Sequence, residues 1–164
     1  MSSEVALISL LLLLLPCFYA AWSDLAFMKI PNWLSLYVIA AYLVSMPFLV
    51  PLDDMGLRLT IALGVLVLGF VLSVSGFIGA GDAKFGAALM LFVHPTLDHV
   101  SFFMQILGMM ALAGVLTHRL FYKFAPARKI GAEWQSWQEE KNFPFGLSIA
   151  ASMLFYLAIL LVLT

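Results

Sequence analysis

Asp82 follows Gly79-Ala80-Gly81 among apolar runs of transmembrane length, and a second aspartate, Asp24, stands two residues past Trp22 at the end of the first run. An ionisable side chain at membrane depth is costly and marks a functional site by default. Two carboxylates at similar depth point to acid–base hydrolysis. Like charges in contact resist joint ionisation and share a proton, so one member can activate a water while the other protonates a carbonyl oxygen. The glycines fit such a site because they tolerate positive φ and close backbone approach. A stretch without side chains before the carboxylate leaves room for an extended peptide.

Each of these residues also has an ordinary structural explanation. Asp82 directly precedes the fourth apolar run, where Asp is a favoured helix N-cap. Asn32, after Ile30-Pro31, reads as a cap at the start of the second run. Lys84 either neutralises Asp82 or snorkels to the headgroups. Pro144-Phe145-Gly146 opens the sixth run as a helix entry. His94, His99 and His118 share no spacing and fall on different sides, so no metal site is expected, and no cofactor. Cys17, the single cysteine, lies in an apolar run as a packing residue and excludes an intrachain disulfide.

The elements that position these groups follow from composition. The chain has 164 residues, 64% of them hydrophobic and only 10% charged, where soluble domains carry about 25% charged residues. Lipid must solvate most of its surface. The expectation is one all-α integral membrane domain over 1–164, with six spans at about 5–22, 33–50, 57–77, 82–97, 100–122 and 145–163. The first run is expected to be a retained helix, because no Lys or Arg precedes it as in a secretory signal. Counting back from His99 along the fourth run puts Asp82 about 25 Å away at 1.5 Å per residue. Against a hydrocarbon core of about 30 Å, that depth matches Asp24.

Positive loops stay cytoplasmic. With six spans, all of the 8 Lys and Arg except Arg58 fall on one side. This places both termini outside the cytoplasm, and Asp24, Asp82 and the connection 123–144 inside it. Asp53, Asp54 and Asp98 read as solvated turn carboxylates opposite. Within the long connection, Ile130, Trp134 and Trp137 recur at helical spacing and suggest an interfacial amphipathic helix, or a flap over the site. A net charge of −1 gives no sign of nucleic-acid binding. A small proton-coupled carrier or scaffold is the rival reading, although carriers more often hold their acids mid-membrane on broken helices.

Taken in order, Asp24, Ile30-Pro31-Asn32, Gly79-Ala80-Gly81-Asp82-Ala83-Lys84 and Pro144-Phe145-Gly146 resemble the type IV prepilin peptidases, membrane aspartyl proteases of the Gly-x-Gly-Asp class. The resemblance implies that Asp24 and Asp82 are the catalytic pair, supported by Gly79, Gly81, Lys84, Asn32, Pro144 and Gly146. It implies a multi-pass inner-membrane enzyme that removes the basic leader of prepilin-like substrates, which also carry an apolar helix, after a glycine at the cytoplasmic face. The long insert with paired cysteines found in larger members is missing here, so N-methyltransferase activity is not expected. The compact form is most similar to peptidases of tight-adherence (Flp) pili. Archaeal preflagellin peptidases and intramembrane proteases of other helices are the related alternatives.

Overall fold

Helices that face lipid are apolar on every side, so chain length and breakers, rather than an amphipathic stripe, set the elements here. The computed structural model describes residues 2–123, 133–138 and 143–163. Among these residues the chain forms seven α-helices: α1 Ser3–Phe27, α2 Asn32–Ser45, α3 Leu52–Val74, α4 Ala80–Met90, α5 Leu97–Lys123, α6 Gln135–Gln138 and α7 Phe145–Leu163. A short 3₁₀ turn, Met46–Phe48, follows α2. Four of the helices (α1, α3, α5 and α7) are long and apolar enough to cross a membrane. Large apolar side chains stand exposed along them, Leu15, Phe70 and Leu112 among others. The chain is an all-helical, multi-pass membrane protein.

Several boundaries differ from the hydropathy reading, each for a local reason. The first helix runs through Ser23 and Asp24 to Phe27 and stops where Met28 turns left-handed (φ 51°). The Met28 N–H donates to the Asp24 carbonyl at 2.9 Å. Pro47 ends α2 in the 3₁₀ turn rather than merely kinking it. Asp53 and Asp54 lie in the first turn of α3 rather than in a loop, where the helix dipole favours acids.

The fourth helix has only 11 residues, about 16 Å of rise, instead of continuing to Leu97. Leu91, Phe92 and Val93 stay buried, but their N–H groups bond three residues back, the tighter pattern of a helix ending ahead of Pro95. The distance counted from His99 to Asp82 along one continuous helix is therefore not available as a depth gauge. α4 is instead a buried central strut, packed against α2, α3 and α7.

The far end of that strut is held by Arg58. Expected as a loop cation, it lies within α3 at 1% exposure, and its Nη1 donates to the Leu91 carbonyl at 3.1 Å. It thus satisfies one of the carbonyls that a helix C-terminus leaves unpaired. Nearby, His94 and His99 come together after all, with ring centroids 4.9 Å apart. Tyr156 joins them: its hydroxyl meets His99 Nδ1 at 3.0 Å and accepts the His94 N–H at 3.3 Å.

Candidate active site

The two aspartates arrive from helices that do not pack extensively on each other. α1 and α4 each pack on α7, and the carboxylates meet over its first turn. Asp24, in the last turn of α1, is 4% exposed, and its Oδ2 accepts the Gly146 N–H at 2.7 Å. That amide is one of the donors left free at a helix N-terminus. The positive end of the α7 dipole thus faces a carboxylate that its own helix presents at the negative end.

Asp82 is 8% exposed and occupies the third position of α4, so it is not the N-cap expected from the sequence. Gly79 takes the cap position, and its N–H donates back to Asp82 Oδ2 at 3.1 Å. This leaves Oδ1 turned toward Asp24. A Cβ placed on Gly146 would stand 2.9 Å from Asp24 Oδ2, 3.0 Å from Asp82 Oδ1 and 2.5 Å from Ile30 Cδ1. The two carboxylate oxygens are therefore no farther apart than the first two of those distances laid end to end.

The glycines of the Gly-x-Gly element act through close approach, not through positive φ, which among the described glycines is found only at Gly76. A Cβ at Gly79 would fall 2.9 Å from Asp82 Oδ2, so its absence lets the carboxylate fold back on its own helix start. A Cβ at Gly81 would lie 3.0 Å from the Ile30 carbonyl oxygen. Gly81 thus admits the Ile30 backbone, which corrects the reading of this glycine as space for substrate. Gly81→Ala is expected to cost about 1–3 kcal/mol of stability through overpacking, read as a lowered unfolding midpoint in detergent.

The remaining expected site residues separate into two groups. Pro144 is buried just ahead of Gly146 and fixes the entry to α7. Asn32 is not a cap: Pro31 occupies the cap position of α2, and Asn32 Oδ1 accepts from Lys84 Nζ at 3.1 Å. Lys84 is thereby tied to the start of α2. Ile30, whose side chain fits between Gly81 and Gly146, was read from the sequence only as part of the Ile30-Pro31-Asn32 element and given no role at the site.

Above the carboxylates lies a cleft of about 600 Å³, lined by Asp24, Met28, Lys29, Gly76, Phe77, Gly79, Asp82, Gln135, Phe143 and Phe145, among others. Gln135 and Phe143 come from the long connection between α5 and α7, so its described parts contribute to the wall. Trp134 and Trp137 pack together at 5.2 Å, and Trp137 lies 6.4 Å from His118 of α5. The short helix there covers Gln135–Gln138. Ile130, the first residue of the expected amphipathic segment, lies outside the described residues, as do Arg128, Lys129 and Lys141.

Two buried carboxylates at the floor of such a cleft can hold a water and a carbonyl oxygen between them, the arrangement acid–base hydrolysis needs. No curated protein and no solved structure matches the chain. The type IV leader peptidase family, by contrast, matches residues 11–122, a stretch that holds both aspartates and the Gly-x-Gly element and stops short of Gly146. With more than half of its length matched, the chain belongs to the type IV leader peptidase family.

Proposed function

We propose that the protein is an aspartyl endopeptidase that removes the leader of prepilin-like proteins, cutting after a glycine at the cytoplasmic face of the inner membrane. The observation that supports this best is the convergence of Asp24 Oδ2 and Asp82 Oδ1 around one point at Gly146. In this reading one carboxylate, ionised, takes a proton from a water that attacks the scissile carbonyl. The other, protonated, donates to the carbonyl oxygen. As the tetrahedral intermediate collapses, the first carboxyl gives its proton to the leaving nitrogen, the second recovers one from the gem-diol, and the C–N bond breaks to release leader and mature protein. The compact chain fits a peptidase of tight-adherence pili. In this reading α2 and α4 complete a six-span bundle, and the side on which Lys and Arg then collect sets both termini opposite the site.

Co-expression with a small protein carrying a basic leader, a glycine and a long apolar helix tests the substrate. The expected result is a downward mobility shift that depends on this protein. Cleavage of unrelated transmembrane helices, with the leader-bearing protein left intact, would instead assign it to intramembrane proteolysis.

The pH profile supplies a separate check. At low pH both carboxylates are protonated and no base remains; at high pH both are ionised and no acid remains. The rate is therefore expected to pass through a maximum, and the two limbs describe the pair as a unit. A rate that climbs to an alkaline plateau would rule out a singly protonated pair.

A further inference from the structure

The outer helices α3 and α5 bury the least: 17% and 11% of their apolar windows, against 39% for α1 and 50% for α7. Between them lies a second cleft, of about 210 Å³, walled by Leu68 and Leu72 of α3 and Met104 and Leu107 of α5. Gly86 of α4 lies at its floor, where an added Cβ would meet only the Ile149 side chain, at 3.7 Å or more. Leu68 and Met104, on opposite walls, are 59% and 40% exposed, so the cleft opens sideways toward lipid.

This apolar cleft does not end blindly. It terminates at Ile78, Asp82 and Phe145, and the same three residues line the polar cleft over the carboxylates. An apolar passage from the bilayer and a polar passage holding Lys29 and Gln135 therefore join at Asp82. A lipid chain would match only the first of them. A polypeptide that is an apolar helix on one side of the cut and a polar extended segment on the other matches both.

We propose that the α3–α5 cleft is the docking site for the apolar helix of the substrate, which enters laterally and delivers its polar end across Asp82. The inference rests on the peptidase reading above. Gly86 allows a partner helix to come close to α4, as small residues do at helix contacts in membranes. The larger groove between α2, α3 and α4, lined by Leu36, Leu63 and Lys84, reaches neither aspartate and serves as the control.

The test uses the full chain in vesicles with a helix-bearing prepilin-like substrate. A benzophenone amino acid is placed singly at Leu72, Met104 or Leu36 in an Asp24→Asn background, so that binding is read without cleavage. Photo-adducts at Leu72 and Met104 but not at Leu36 are expected. Adducts at Leu36 alone, or equally at all three, would overturn the proposal. In a second arm both aspartates are intact, Cys17→Ala removes the native thiol, and Leu72→Cys and Met104→Cys are bridged by a bifunctional maleimide. Bridging is expected to slow cleavage of the helix-bearing substrate by about tenfold or more, because remote binding energy is lost. Cleavage of a short peptide spanning the junction is expected to be unchanged. Equal loss on both substrates, or no loss on either, would count against lateral docking. If the unbridged protein cleaves neither substrate, the peptidase reading fails, and the photo-adducts still decide where an apolar helix docks.

Discussion

Asp24→Asn and Asp82→Asn are each expected to reduce leader removal by roughly 10²–10⁴-fold, the usual contribution of a positioned acid or base, with insertion and abundance unchanged. The asparagine carbonyl can still accept the N–H that each carboxylate now accepts, from Gly146 at 2.7 Å or from Gly79 at 3.1 Å. These two hydrogen bonds therefore survive the substitution. What disappears is the ability to exchange a proton. Because the two groups act as a unit, the double variant is expected to be scarcely worse than either single one. Initial rates on purified protein with a helix-bearing substrate give the answer. If either single variant retains more than about a tenth of the wild-type rate, well above the loss a positioned acid or base implies, the dyad is wrong.

Gly146→Ala is expected to produce the second-largest loss, about 100-fold, the scale associated with displacing reacting groups by roughly 1 Å. The added methyl would meet both carboxylates and Ile30 Cδ1 at once. Ile30 Cδ1 is the tip of a flexible side chain and yields first, so Ile30→Val in the same chain is expected to restore part of the rate. The carboxylates remain displaced, and recovery is expected to stay incomplete. Gly64→Ala and Gly108→Ala add a methyl where nothing lies within 4 Å and are expected to leave the rate alone. Full activity in Gly146→Ala would show that the spacing of the carboxylates is not tightly required.

Much of the site was legible because its cost is visible in composition: acids are rare in a chain that is 10% charged, so Asp24 and Asp82 stood out. Their meeting place was not legible. It depends on α7, whose opening Pro144-Phe145-Gly146 reads as an ordinary helix entry until Gly146 is found donating to one carboxylate and leaving space for the other. The helical, membrane-embedded class followed from hydropathy, and so did the long helices. The end of α4 did not, since Leu91, Phe92 and Val93 continue the apolar run while their hydrogen bonds change pattern. Arg58 was misplaced for a related reason. A lone arginine near an apolar run reads as a loop cation, and only tertiary packing shows it capping a buried carbonyl. The glycines before Asp82 were recognised for positive φ and for close backbone approach; only the second is used, and the backbone that approaches Gly81 is that of Ile30.

The shortness of α4 bears on how the protein is made. Four helices satisfy the length that a bilayer demands of an independently inserted segment, but an 11-residue helix carrying Asp82 does not. It is held in place by packing against α2, α3 and α7, with Arg58 at one end and the start of α7 at the other. Since α7 follows both aspartates in the chain and Gly146 lies in its first turn, the two carboxylates are brought together only once α7 has been made. A nascent or truncated chain holds both aspartates but not the helix over which they meet. In the peptidase reading, the order of synthesis thereby withholds hydrolysis until α7 is in place.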